Sequence, residues 1–215
     1  MNPSSIHIGI LGSGNIGKNA AKHFVRVGHR VRLSNSKGPE TLTATVAEIG
    51  PEAEAATTAD TVAFGEVILL AVPWAKRAAA FAAAGGPAAF AGKIVIDALN
   101  PYTEFPSVEE LHGRTSSSVV ASELPDARVV KAFNTIYFET LANGSKRADA
   151  PDRIALPVCG DDPAAKRIVC ALIEQIGFDA VDAGTLAQSR RQEPFQPLYN
   201  KDYPATQVLQ ELAKP

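Results

Sequence analysis

The stretch GILGSGNIGKNAAKHF, residues 9–24, constrains this chain more than any other. It sets Gly12-x-Gly14-x-x-Gly17 directly after an apolar run, IHIGIL (Ile6–Leu11), and directly before a helical pattern. In that setting the first glycine permits a tight strand-to-helix turn and the second lets backbone approach a pyrophosphate. The third allows the helix to pack closely on the strand. The helix N-terminus then offers unpaired N–H groups and a positive dipole end to phosphate. A strand, loop and helix of this kind predict a dinucleotide site, with Gly12, Ser13, Gly14, Asn15, Ile16 and Gly17 around the pyrophosphate.

The rest of the chain repeats the same alternation. Strands are expected at Arg30–Ser34, near EAEAAT (52–57), at Glu66–Val72, Lys93–Leu99 and Arg128–Asn134. Helices are expected at 15–28, at 41–50 and through SSSVVASELP (116–125). After a polar break, Gly144–Arg153, come strand IALPVCG, a helix from Asp161, strand DAVDAG, and a tail with a short terminal helix. Asp161 or Asp162 can cap that helix, with Pro163 in its first turn. Alternating strands and helices predict a doubly wound, mostly parallel α/β sheet, with a small C-terminal βαβ unit extending the same sheet.

The end of the second predicted strand raises a question of its own. A site for NAD usually places Asp or Glu there to accept hydrogen bonds from the ribose 2′-hydroxyl. Here that point reads Ser34-Asn35-Ser36-Lys37. A carboxylate would repel a 2′-phosphate, whereas Asn35 and Ser36 can donate to one and Lys37 supplies charge. The segment therefore favours NADP(H). Ligands of open α/β sheets bind beyond the carboxyl ends of the strands. Those ends carry Ala71, Val72, Pro73 and Trp74, then Asn100 and Pro101, then Ala132, Asn134, Thr135 and Ile136. Such apolar and amide groups suit the walls of a nicotinamide pocket, with Trp74 a possible rim aromatic.

Composition narrows the partners. A net charge of −2 gives no sign of a nucleic-acid partner. Cys159 and Cys170 fit no zinc or CxxC spacing, and no metal site is expected. The alanine-rich stretch AAAFAAAGGPAAFAG is too short and too interrupted to span a bilayer, and no secretory signal precedes the first strand, so a cytoplasmic protein without membrane contact is expected. His7, His23, His29 and His112 stand in no constellation with Ser, Asp or Glu. Asp97 and Lys131 read as polar residues of core or rim rather than as acid and base. Reducing a carbonyl requires a proton donor to oxygen, whereas passing hydride to another ring cofactor needs chiefly alignment and exclusion of water.

With GILGSGNIGK, VILLAVPW, VIDALNP, ARVVKAFNTI and CGDDPAAKRIVCALIEQIGFDAVDAGTL in view, the chain resembles the F420-dependent NADP oxidoreductase family over nearly its whole length. It is also similar to the NADPH-binding part of membrane ferric reductases. The resemblance implies a single Rossmann-type NADP-binding domain over residues 1–215, of which about 150–215 form an extension covering the acceptor site. It implies hydride transfer between NADPH and a small-molecule redox acceptor, F420 or flavin, and a homodimer. Asn35, Ser36 and Lys37 match the segment holding the 2′-phosphate, with Ser36 where the family commonly has Arg. Val72, Pro73, Asn100 and Pro101 match the wall around the nicotinamide ribose. Pro73, Asn134 and Ile136 match positions that align the rings for hydride transfer, Asn134 standing where archaeal members carry His. Gly184, Leu186, Arg191, Glu193 and Pro194 keep the family's C-terminal pattern. Two other functions fit the same residues: an NADPH-binding module that senses the cofactor without turnover, and a dehydrogenase of a small hydroxy acid or imine.

Overall fold

The computed structural model describes residues 5–214; residues 1–4 and 215, within the range of the expected domain, lie outside the described residues. Eight strands form one sheet: β1 (His7–Leu11), β2 (Arg30–Ser34), β3 (Ala53–Ala55), β4 (Val67–Leu70), β5 (Ile94–Asp97), β6 (Arg128–Lys131), β7 (Ala155–Gly160) and β8 (Asp179–Gly184). Their order is β3-β2-β1-β4-β5-β6-β7-β8. All neighbours pair parallel except β6 and β7, which run antiparallel. This is the doubly wound, mostly parallel sheet of the Rossmann type, and β7–β8 with their crossover helix continue it as a βαβ unit.

The central strands are apolar on both faces because both are covered. Val67 and Leu69, Ile94 and Ile96, and Val130 join the layer containing Phe24, Phe133 and Phe178. The alternate residues Ile68, Leu70, Val95 and Val129 join the opposite layer with Phe81 and Phe90. The helices are α1 (Asn15–Arg26), α2 (Thr43–Ile49), α3 (Thr58–Phe64), α4 (Arg77–Ala83), α5 (Ser116–Glu123), α6 (Phe138–Asn143), α7 (Pro163–Gln175) and α8 (Ala205–Leu212). Of the two candidate caps for α7, Asp162 is the one used: its carboxylate accepts from Ala164 N and Ala165 N at 2.8 and 3.0 Å. Asp161 instead accepts from Leu186 N at 3.0 Å, tying the chain beyond β8 back to the sheet.

Two differences from the sequence expectation matter for the site. The short helices α3, α4 and α6 were not foreseen; each is only six or seven residues long, too short for an amphipathic period to declare itself. The strands expected at 66–72, 93–99 and 128–134 also stop early, at Leu70, Asp97 and Lys131. After β5, Asp97 Oδ1 accepts from Leu99 N at 3.0 Å and turns the chain. After β6, Phe133 takes φ 66°, which no extended strand permits. The last residues of each apolar run thereby leave the ladder and become lining at the sheet's carboxyl edge.

Candidate functional site

The three loop glycines divide by what requires them. Gly12 has φ 111°, and a Cβ there would lie 2.4 Å from the carbonyl oxygen of Ala71. A Cβ on Gly17 would lie 1.9 Å from the carbonyl oxygen of Gly12. The fold itself therefore demands both. Gly14 is different: its φ of −70° and ψ of −174° suit any residue, and a Cβ there meets nothing within 4 Å. Gly14 is also the N-cap of α1, which has no side-chain cap and no acid in its first turn. The first amide groups of that helix are consequently left for a partner outside the protein.

The loop opens into a cleft of ≈ 1320 Å³ along the carboxyl ends of the strands. Gly12, Ser13, Gly14, Asn15 and Ile16 line its floor at β1, and Ser34, Asn35 and Ser36 line it beyond β2. Ala71, Val72 and Pro73 follow from β4, Asn100 from β5, and Asn134 and Ile136 from β6. Four residues expected in the site do not line the cleft: Gly17, Ala132 and Pro101 are buried behind it, and Lys37 is exposed beside it. Lys37 N donates to Asn35 Oδ1 at 2.8 Å, and Asn35 Nδ2 donates to Thr41 Oγ1 at 2.9 Å, so the loop after β2 is held in shape by its own side chain. Among the described residues no Asp or Glu lines the cleft, and the charged groups that do are Lys76 and Lys201.

A polar clasp joins the ends of β5 and β6. Asn100 Nδ2 donates to the Asn134 carbonyl at 3.0 Å, and Asn134 Nδ2 donates to Asn100 Oδ1 at 3.1 Å and to the Gln192 carbonyl at 2.6 Å. Asn134 Oδ1 is buried with no hydrogen-bond partner among the described residues, closed off within the clasp. Beneath the clasp, Lys131 and Asp97 are fully buried and paired at 3.2 Å. Lys131 also donates to the Leu99 carbonyl at 2.5 Å and to Ser116 Oγ at 3.2 Å, while Ser117 Oγ donates to Asp97 Oδ2 at 2.6 Å. Their role is to hold the Leu99–Asn100 turn. Trp74 is not a free rim aromatic: it is buried, its indole donates to Glu109 Oε2 at 2.6 Å, and Arg77 lies 3.7 Å over its ring.

The sequence reading missed an aromatic cluster at the cleft's mouth. Tyr102 and Phe105 come from the chain after β5, and Phe195 and Tyr199 from the segment after β8. Tyr102 lies 5.5 Å from Phe105, 6.3 Å from Phe195 and 6.5 Å from Tyr199, ring centre to ring centre. Phe105 and Phe195 are 77% and 65% exposed, so the cluster leaves apolar ring faces open to solvent. The Tyr102 hydroxyl donates to that of Tyr199 at 3.2 Å; burial, then that contact, raises Tyr199 above the usual phenol range, so it stays neutral. The segment is anchored by Glu193, which accepts from Ser116 N at 2.6 Å, and by Asn200 N, which donates to the Thr135 carbonyl at 2.9 Å. The one hint in the sequence was the Gly184–Pro194 pattern just before these residues. Neither cysteine belongs to the site. Burial pushes the Cys159 thiol up to about 12. Among the described residues no cluster of His, Cys, Asp and Glu could hold a metal ion, and no helix is long and apolar enough to cross a membrane.

A glycine-loop cleft at the carboxyl edge of a doubly wound sheet defines a nucleotide-binding α/β protein of the Rossmann class. Comparison with known proteins narrows this. Residues 7–101 match the family described as NADP oxidoreductase, coenzyme F420-dependent. The solved structure of hypothetical protein SMa0349 from Sinorhizobium meliloti is similar at TM-score 0.82 and 32% identity, over 92% of this chain and 94% of that one. A candidate F420-dependent NADP reductase from Arthrobacter sp. FB24 is similar at TM-score 0.76 and 28% identity, over 86% and 88%. Metalloreductase STEAP3 of Rattus norvegicus is 31% identical over 188 residues, 86% of this chain but 35% of that protein. The N-terminal part of the chain thus matches the F420-dependent NADP oxidoreductase family, and the chain as a whole is similar to a candidate reductase of that description and to part of a STEAP metalloreductase. It spans only between 35% and 42% of the length of the curated relatives it matches.

Proposed function

We propose that the protein binds NADP(H) in this cleft and passes hydride between it and a flavin or deazaflavin acceptor. The observation that carries the binding half is Gly14, a position where the fold tolerates a side chain and only a closely approaching ligand forbids one. In this reading the first-turn amides of α1, with Gly12, Ser13, Asn15 and Ile16, take the pyrophosphate. Gly17 serves by keeping α1 close to β1. Ser34, Asn35, Ser36 and the free side chain of Lys37 take the 2′-phosphate, and Lys76 adds charge from the wall beyond β4. The absence of any lining carboxylate among the described residues supports a ligand carrying several negative charges.

The nicotinamide half falls to the other end of the cleft. Ala71, Val72 and Pro73 supply an apolar wall, backed by the turn at Asn100-Pro101 and by Ala132 in the core. Asn134, tied to Asn100 Oδ1 and to the Gln192 carbonyl, holds the turn that closes this end of the cleft. When bound, NADPH supplies a hydride from its ring, and the acceptor takes up that hydride and a proton as NADP⁺ is left behind. Ile136 and Pro73 restrict the approach of the acceptor ring, and the exposed aromatics Phe105 and Phe195 offer it faces to stack on. The hydroxyls of Tyr102 and Tyr199 offer hydrogen bonds to ring oxygen or nitrogen. The segment at 193–201 acts as cover for this acceptor end. A homodimer belongs to the same reading, and light scattering of the purified protein tests it.

The direct test is anaerobic spectrophotometry of protein and NADPH with oxidised F420 or with flavins. Loss of the acceptor band at rates proportional to protein is the expected result. Tight NADPH binding without reduction of either acceptor would overturn hydride transfer and leave a sensing module.

A further inference from the structure

In the chain after β5, residues 101–109 fold into a small hairpin. Tyr102 bridges Val108 in antiparallel register, and Thr103 N donates to the Ser107 carbonyl at 3.1 Å. Glu109 N closes its base by donating to the Pro101 carbonyl at 2.7 Å. Phe105 stands at the tip and Tyr102 on the first arm, and both line the cleft. We infer that Glu109 is a positioning residue for the hydride acceptor: through its hydrogen bond to Trp74 it holds this hairpin, and with it the rings of Tyr102 and Phe105, over the cleft's mouth. The inference rests on the hydride-transfer reading above and adds to it a residue that does not itself line the cleft.

A two-stranded hairpin is at best marginally stable in water, and this one has no core of its own: Phe105 is 77% exposed and Val108 42%. Its pose therefore depends on what ties it to the body of the protein. One tie is the Tyr102 hydroxyl, which donates to that of Tyr199 at 3.2 Å. The other is the Glu109 carboxylate, which accepts from the Trp74 indole at 2.6 Å and is the shorter and stronger contact. Trp74 is a firm anchor. It is buried, Arg77 lies 3.7 Å over its ring, and Arg77 is held in turn by both carboxylate oxygens of Glu123 on α5, at 3.0 and 2.9 Å. Trp74 also directly follows Pro73, which lines the cleft. The bond thus fixes the hairpin relative to the wall that takes the nicotinamide. Packing does not require an acid at this position: Glu109 is exposed, and among the described residues its carboxylate makes this one hydrogen bond. A ring stacked on Phe105 keeps its register with the nicotinamide only while that bond holds.

The test compares the parent protein with Glu109→Ala, Glu109→Gln and Phe105→Ala, using FMN and F420 as acceptors. KM and kcat are measured with NADPH, and ring binding is followed by fluorescence titration of the NADP⁺-loaded protein. Trp74 is the chain's only tryptophan, so its quenching by acrylamide reports on the hairpin directly. Glu109→Ala should raise the Kd and KM of the acceptor about tenfold, the lower end of what a hydrogen bond to a charged group contributes. It should change kcat less, leave the Kd for NADPH as it was, and open Trp74 to acrylamide. Glu109→Gln keeps an oxygen that can accept from the indole and should restore both readouts. Phe105→Ala, at an exposed tip where folding is not at stake, should weaken the acceptor while Trp74 stays shielded. Acceptor binding unchanged in Glu109→Ala would overturn the inference and leave Glu109 a partner for the indole alone. So would an equal loss of NADPH and acceptor. The binding arm needs no turnover: a ring that binds the parent and is weakened in Glu109→Ala, yet is never reduced, would uphold the positioning role and overturn hydride transfer. A parent that binds neither ring would overturn both.

Discussion

Replacing Gly14 with Ala separates the demands of the fold from those of a ligand. The added methyl meets no protein atom within 4 Å, and the backbone angles there are ordinary for alanine. Alanine is a poorer N-cap than glycine by up to about 1 kcal/mol, but it also loses less chain entropy on folding, about 0.4–1 kcal/mol. These offset, so stability should stay within about 1 kcal/mol of the parent. Binding should behave otherwise. A methyl at the N-cap of α1 occupies the space through which a pyrophosphate reaches the first-turn amides, and a charge-assisted hydrogen bond to such an amide contributes about 1.5–3 kcal/mol. Losing one raises the Kd for NADPH about 10- to 150-fold. The assay is a titration of NADPH fluorescence alongside a thermal melt. Gly12→Ala is the control: at φ 111° with Ala71 O at 2.4 Å, it should lower the melting temperature markedly. Unchanged NADPH affinity in a well-folded Gly14→Ala protein would refute the site.

Other expectations can be checked on the same protein. Lys37→Ala should weaken NADPH about fivefold and leave NADH nearly unaffected, whereas Lys76→Ala should weaken both to a similar degree, as isothermal titration with each cofactor would show. Lys131→Met leaves Asp97 buried and unpaired and should cost about 3–5 kcal/mol in urea unfolding; adding Asp97→Asn should recover much of it. Burial is the largest influence on His23 and holds its pKa below 6.5; its Nε2 contacts the Leu141 carbonyl at 2.6 Å and its Nδ1 contacts Arg26. The unfolded chain therefore takes up this proton first. Its contribution is complete above pH 6.5 and is lost as the pH falls below that value, at up to about 1.4 kcal/mol per pH unit until the folded ring titrates. A His23→Gln variant should show a shallower acid slope in thermal melts.

The parts of this molecule that could be read in the sequence are those whose determinants are local. The apolar runs at 67–70, 94–97 and 128–131 declare strands because consecutive residues enter opposite layers of the core. The glycine loop declares a turn because Gly12 and Gly17 answer contacts within a few residues of themselves or at the adjacent strand end. The aromatic mouth of the cleft is written differently. Tyr102 and Phe195 stand 93 positions apart in the sequence (195 − 102) yet 6.3 Å apart in space, brought together by the return of the chain after β8. That return depends on Asp161 holding Leu186 N and Glu193 holding Ser116 N, single contacts between distant segments that leave no period or motif behind. Lys37 shows the reverse case: the right residue type at the right strand end, with a side chain that the fold leaves beside the cleft. A strand-end rule can place a residue within one or two positions of a ligand, but the direction of its side chain is set by the Asn35 turn and Thr41, which the rule does not contain. The glycine-loop half of the cleft is thus encoded mainly in consecutive residues. The aromatic mouth is encoded in the tertiary path of the C-terminal segment, so proteins that share the glycine loop can differ most there.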